Sequence, residues 1–263
     1  MPLSWPDARH IYLSPHLDDA VLSCGGLIAE QAHTGQSVAV ITVFAASPPP
    51  GAPLSPFARA LHDRWAESAR ADSVDPAAVR RAEDVRALAA LGDAVQPVHY
   101  TLPDCIYRLA TDSGEPLYAS EEAIFGEVHP ADPALADLRA TPPPPPGATV
   151  YAPLAIGQHV DHQLIYQVVR GWGLPRGAVR YYEDYPYVTQ QREPIEVLLA
   201  RRGDWQPQVA TLSERALEAK VRAAAAYQSQ ISTFWPDVGA MAEALRAYAS
   251  DVGGERLWWP AGG

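Results

Sequence analysis

Ile11-Tyr12-Leu13-Ser14-Pro15-His16-Leu17-Asp18-Asp19, with Gly25-Gly26 a turn further on, is the stretch on which the fold turns. Ile11 to Ser14 reads as a short strand that breaks at Pro15, because proline has no N–H to give to a ladder. Asp19 to Gly35 then reads as a helix, with Val21, Leu22, Ile28 and Ala32 apolar and Gly35 as its stop. Ser37 to Phe44 is a β-branched run, as expected of a strand buried on both faces. Strand, helix, strand in that order predicts a βαβ unit.

The alternation continues outward. Asp75-Pro76 opens a helix whose apolar face would be Val79, Ala82, Val85, Leu88 and Leu91, closed by Gly92. Val95 to Thr101, Thr149 to Leu154 and Ala178 to Tyr182 are further strands, and His159 to Trp172 is a helix. Ser213 caps a long helix through Leu217, Val221, Ala224 and Tyr227, and Val238 to Tyr248 forms the last one. The pattern predicts an α/β, Rossmann-like fold, a mostly parallel sheet with helices on both faces. Residues 1–263 read as one domain, with insertions near 48–75 and 102–147. The first insertion carries Pro48-Pro49-Pro50-Gly51, and the second ends near the run Pro142 to Pro146. Trp258 and Trp259 read as an anchor for the tail rather than a sugar-stacking surface.

Composition narrows the function. The 263 residues carry 20 Lys+Arg against 31 Asp+Glu, a net charge of -11, which argues against nucleic-acid or anionic-membrane partners. No stretch approaches the roughly 20 apolar residues of a membrane span. Met1 to Asp7 has neither a basic nor an apolar leader region, so a cytoplasmic protein is expected. Cys24 and Cys105 are too few for a disulfide framework and read as buried thiols.

The chemistry concentrates at two strand ends. His16, Asp18 and Asp19 follow the first strand; His159, Asp161 and His162 follow the strand at Thr149 to Leu154. Ligands in such sheets bind at the carboxyl ends of the strands. Imidazole and carboxylate together suit a borderline divalent metal, and Asp161 is placed to accept a hydrogen bond from one imidazole. Either aspartate of the first motif could instead cap the helix that follows. His10, His33, His62, His99 and His129 stand apart and carry no assignment. Two histidines and a carboxylate leave open positions, which serve a zinc hydrolase or an Fe(II) oxygenase alike. The order His16-x-Asp18, His162, Arg170 mimics 2-oxoglutarate dioxygenases, but those are antiparallel jelly rolls. A structural metal is a poor reading, since closed structural sites are rich in Cys.

Taken together, Pro15-His16-Leu17-Asp18-Asp19 with Gly25-Gly26, and His159-Val160-Asp161-His162, resemble the signature motifs of the PIG-L (LmbE-like) deacetylases. Arg80-Arg81-Ala82-Glu83 with Leu91-Gly92, Leu102-Pro103-Asp104 with Arg108, and Tyr227-Gln228-Ser229-Gln230 resemble lesser motifs, so the similarity spans residues 9 to about 231. The resemblance implies a Rossmann-like fold and zinc-dependent removal of N-acetyl groups from glucosamine-type sugars. It implies one Zn2+ per chain held by His16, Asp19 and His162, Asp18 as general base, and His159 as oxyanion stabiliser or proton donor. Asp161 would support an imidazole, and Arg80 and Asp104 would contact substrate. The implied partner is a small-molecule acetamido sugar, with an amidase on a thiol-sugar conjugate as a variant and homo-oligomerisation left open. Val160 stands where many members have proline, and the two insertions exceed compact members, so the particular substrate does not carry over.

Overall fold

Three short apolar strands at the middle of the sheet, His10–Ser14, Val38–Thr42 and Thr149–Pro153, need both faces covered, and the chain provides a helical layer for each face. The computed structural model describes residues 5–49, 51–69 and 75–261. Met1 to Ser4 of the leader reading, Pro50, and residues 70–74 of the first insertion lie outside the described residues. β1 (His10–Ser14) leads into α1 (Asp19–His33) and β2 (Val38–Thr42). The first insertion, expected as loop, holds a helix, α2 (Pro56–Ala69). α3 (Pro76–Leu91) and β3 (Val95–His99) follow. The second insertion contains a 3-10 turn at Cys105–Tyr107, α4 (Glu121–Ile124) and α5 (Pro133–Arg139). β4 (Thr149–Pro153), α6 (Val160–Gly171), β5 (Val179–Tyr182), α7 (Ile195–Ala200) and β6 (Trp205–Ala210) come next. α8 (Glu214–Ala224), α9 (Gln228–Phe234), α10 (Val238–Val252) and β7 (Glu255–Pro260) complete the chain.

The sheet runs β3-β2-β1-β4-β5-β7-β6. The first five strands are parallel, as expected, whereas β7 is antiparallel to both β5 and β6. This antiparallel edge, and α2 and α7, had no counterpart in the sequence reading. Alternation sorts the strand residues between two cores. Ile11, Leu13, Val150 and Ala152 pack with Leu138, Leu164, Ile165 and Leu199 of α5, α6 and α7. Tyr12, Val38, Val40 and Tyr151 pack with Ile28, Leu88, Ala216 and Ala219 of α1, α3 and α8. Trp258 lies in the core of the first face and donates its indole N–H to Glu183, which bears out the tail-anchor reading. No helix among the described residues is long and apolar enough to cross a membrane.

Three helices depart from expectation for identifiable reasons. On α3 only Leu88 and Leu91 of the expected face are buried, and Val85 is 47% exposed. The inward positions go instead to Arg80, Glu83 and Asp84, because each polar group finds something to hold. Glu83 accepts from the Ser229 N–H and Oγ at 2.9 and 2.6 Å. Asp84 accepts from Tyr227 Oη at 2.7 Å and pairs with His99 Nε2 at 2.7 Å. The long helix capped by Ser213 stops at Ala224, so that Tyr227 and Ser229 can turn in to these carboxylates and begin α9. His159, expected inside α6, is its N-cap instead.

Gly25-Gly26 serves helix packing. A β-carbon at Gly25 would lie 3.0 Å from Lys220 Cγ, and one at Gly26 would lie 2.4 Å from Leu212 Cδ1. Their absence lets α8 come close to α1 and brings Lys220 to Glu255 at 2.7 Å.

Candidate active site

β1 and β4 are neighbours, yet the chain leaves β1 toward β2 on one side and continues from β4 toward β5 on the other. A crevice opens at such a reversal. Ser14 Oγ shapes the first turn there, accepting from the Ala20 N–H at 3.0 Å while donating to the His16 carbonyl. Asp18 occupies the N-cap position of α1 but its side chain makes no capping bond, so the bland reading of that aspartate fails. The second turn carries non-glycine residues with positive φ, Ala155 at 55° and Gln158 at 61°. Such residues cost about 1–3 kcal/mol each and persist where surrounding structure imposes them. Here Arg202 donates to the Leu154 carbonyl at 2.6 Å and the Ile156 N–H to Asp184 at 3.1 Å.

These turns bring three donor atoms together. Asp19 Oδ2 lies 3.2 Å from His16 Nδ1 and 3.3 Å from His162 Nε2. The outer nitrogen of each ring meets a second carboxylate: His16 Nε2 donates to Asp161 Oδ2 at 2.9 Å, and His162 Nδ1 donates to Asp184 Oδ1 at 2.6 Å. An acceptor outside requires the proton outside, which leaves a lone pair on the nitrogen facing inward. His162 Nε2 is buried with no hydrogen-bond partner among the described residues. Tetrahedral zinc with bonds near 2.0–2.1 Å needs donor separations of about 3.3 Å, so this trio fits a metal ion. The nitrogens of His16, His159 and His162 also come within 4.8 Å of one another.

The field in the crevice is arranged for a cation. Burial opposes charge on His16, but Asp104, Asp161 and Asp19 outweigh it and push its pKa well up. Burial is likewise outweighed at His162, where Asp19 and Asp184 raise the value to about 9. Carboxylates that would stabilise an imidazolium stabilise a bound dication by the same field. The two adjacent aspartates part company. Burial and the charge of Asp19 push Asp18 up to about 6, with Arg80 restraining the rise. Asp19 is held well below the carboxylate range, because His162 and His16 overcome its burial. Neighbouring carboxyls with values driven apart are a mark of divided chemical labour. His159 is pushed well down by burial and by His16, so it stays neutral. Its Nδ1 accepts from the Asp161 N–H at 3.3 Å, which leaves the proton on Nε2.

His16, Asp18, Asp19, Arg80, Asp104 and His159 all line one cavity of about 270 Å³. His162 and Asp161 are 1% and 0% exposed and sit beneath its floor. Arg80 reaches toward both Asp18 and Asp104, at 3.6 and 3.8 Å, and stacks over the Trp65 ring at 4.6 Å. All eight expected site residues therefore converge. Four contributors were not singled out. Asp184 holds His162, and its signal was a carboxylate two residues past a strand end, the same clue that marked Asp18. Arg108 is buried between Asp161 and Asp132, which keeps the Asp161 carboxyl depressed against its burial. Thr233 is the third, its Oγ1 buried, like the Nε of the expected Arg80, without a hydrogen-bond partner among the described residues. The fourth is an aromatic lining carried by α2, α9 and the segment around Phe125.

The Fe(II) dioxygenase reading fails on geometry. Arg170 lies over the Trp205 ring at 5.6 Å, remote from the cavity lining, and the sheet is parallel through the two motifs. The fold and site define an α/β protein with a buried nitrogen–oxygen donor set at the reversal of strand order. The PIG-L family model, GlcNAc-PI de-N-acetylase, matches residues 11–172, and the chain belongs to this family. It is 29% identical over 198 residues to the 2'-N-acetylparomamine deacetylase of Niallia circulans, covering 71% of this chain and 70% of that protein. The enzyme of the same description from Streptomyces fradiae is 32% identical over 196 residues, covering 72% of this chain and 61% of the relative. Among solved structures, the zinc-inhibited form of teicoplanin deacetylase Orf2 superposes with a TM-score of 0.72 at 28% identity, over 96% of this chain and 97% of that one.

Proposed function

We propose that the protein is a zinc-dependent N-deacetylase that releases acetate from an acetamido sugar within a small molecule. One observation carries this reading: the inward nitrogens of His16 and His162 meet Asp19 Oδ2 at metal-ligand spacing, beside a carboxyl, Asp18, raised to about 6. The relatives named above are deacetylases of acetylated, sugar-containing molecules, which supports an enzyme acting on N-acetyl groups.

His16, Asp19 and His162 would hold the ion, one per chain. Two imidazoles and one carboxylate without a thiolate suit zinc and leave a position open. Bound zinc would supply Lewis acidity and bring a water toward a pKa of about 7. Asp18, free of capping duties, takes the proton of the attacking water. The neutral Nε2–H of His159 donates to the carbonyl oxygen as negative charge develops there, a contact worth about 2.7–4 kcal/mol in comparable sites. This assigns His159 to the oxyanion rather than to proton delivery, because burial keeps it from carrying an extra proton. Asp18 then returns its proton to the departing nitrogen as the C–N bond breaks, giving acetate and the amine. Asp161 and Asp184 orient the ligand imidazoles. Arg80 and Asp104 line the cavity and would contact sugar hydroxyls.

The test is acetate release from N-acetylglucosamine derivatives by protein stripped with chelator and then given zinc. Activity should vanish and return, and Asp18→Asn should retain zinc while losing about 10²–10⁴-fold in kcat. Near-wild-type turnover in Asp18→Asn would remove the base assignment. Activity indifferent to chelation would remove the metal.

A further inference from the structure

The lining of the cavity divides into unlike halves. One half is charged, through Asp18, Asp19, Arg80 and Asp104. The other half is apolar. A continuous series of rings starts at His159: His159 to Phe125 at 5.4 Å, Phe125 to Tyr187 at 5.7 Å, and Tyr187 to Phe234 at 5.8 Å between centroids, with Tyr187 also 5.7 Å from His162. Gly157 makes room for this wall, since a β-carbon there would lie 2.6 Å from Tyr187 Cγ. Beside these rings α2, which packs against α9, presents Phe57 and Leu61, both half-buried. The exposed charges in the lining are one of each sign, Arg64 and Glu121.

From this we infer that the preferred substrate carries its acetamido sugar on an uncharged aromatic or aliphatic aglycone, held against α2 and the Phe125–Tyr187–Phe234 wall. The inference rests on the deacetylase reading and names the substrate class within it. The sugar meets the charged groups of the lining, and the aglycone covers the half-buried rings. A polar or cationic aglycone would surrender its hydration there without receiving hydrogen bonds in return. Apolar pockets of this kind discriminate by about 10–100-fold.

The experiment compares acetate release by the zinc-loaded enzyme from three probes: 4-nitrophenyl N-acetyl-β-glucosaminide, free N-acetylglucosamine, and a mono-N-acetylated, otherwise cationic chitosan disaccharide. The aryl glycoside should exceed both others by at least about 10-fold in kcat/KM. Phe57→Ser/Leu61→Ser should shrink that ratio several-fold, and Phe234→Ser on α9 provides a second reduction should the α2 variant fold poorly. Equal rates for aryl glycoside and free sugar, or a preference for the cationic disaccharide, would overturn the inference while leaving the deacetylase intact. Acetate from none of the three, with zinc bound, would count against the deacetylase reading itself.

Discussion

Lys220 and Glu255 are as deeply buried as Asp19 and His162, but the two clusters are finished differently. Glu255 receives Lys220 Nζ at 2.7 Å together with the N–H groups of Gly26 and Leu27 at 2.9 and 2.8 Å, so both its oxygens are spoken for. In the crevice, the outer nitrogens of His16 and His162 are paired with carboxylates, while His162 Nε2 has only Asp19 Oδ2 at 3.3 Å beside it and no hydrogen-bond partner among the described residues. A buried charge cluster that closes on itself joins structural elements; one that stops a single partner short is waiting for something. Stability resides in the first, and chemistry in the second.

That contrast can be broken experimentally, and His162→Ala is the strongest attempt. It should abolish bound zinc and lower acetate release by at least about 10³-fold, read by metal analysis and activity together, because several kcal/mol of Lewis-acid stabilisation go with the ion. A full equivalent of zinc retained in the variant would show that the trio is not the site. Lys220→Ala should cost about 3–5 kcal/mol of stability in urea melts by leaving Glu255 buried without its cation, with zinc content per folded chain unaltered. A loss of zinc on the same scale would mean that the two clusters are not separate. Asp184→Asn should weaken zinc affinity by about 10–100-fold in a competition titration, since the amide no longer holds the His162 proton outward as a carboxylate does. No change would reduce Asp184 to a loop anchor through Ile156. The smallest effect belongs to Val160→Pro. Residue 160 opens α6, where proline is tolerated, and His159 already has the extended backbone, φ -61° and ψ 130°, that a following proline demands. Stability should stay within about 1 kcal/mol, and a larger loss would show that Val160 is held by its packing beside Cys105 and Tyr118.

Legibility followed the distance over which each feature is decided. The central strands were readable because burial on both faces writes itself into five consecutive residues. The apolar face of α3 was misread because its buried positions are Arg80, Glu83 and Asp84, whose partners lie as far along the chain as Ser229 and Tyr227. β6 and β7 were missed for a related reason: an edge strand such as Trp205–Ala210, with a proline inside it, shows no buried run. α2 hid within a proline-rich neighbourhood that reads as loop, although it supplies one wall of the cavity.

The sequence by itself determined the βαβ frame, the motif residues His16, Asp18, Asp19, His159, Asp161 and His162, and their place at carboxyl strand ends, because strand, turn and helix signals are local. Tertiary structure alone decided which imidazole each carboxylate serves. Asp161 turned out to hold His16, 145 positions away, and Asp184 to hold His162. Only the folded chain could leave Arg80 Nε and Thr233 Oγ1 without a hydrogen-bond partner among the described residues. Whether a buried polar atom is satisfied depends on every element packed around it, and no local stretch of sequence contains that information.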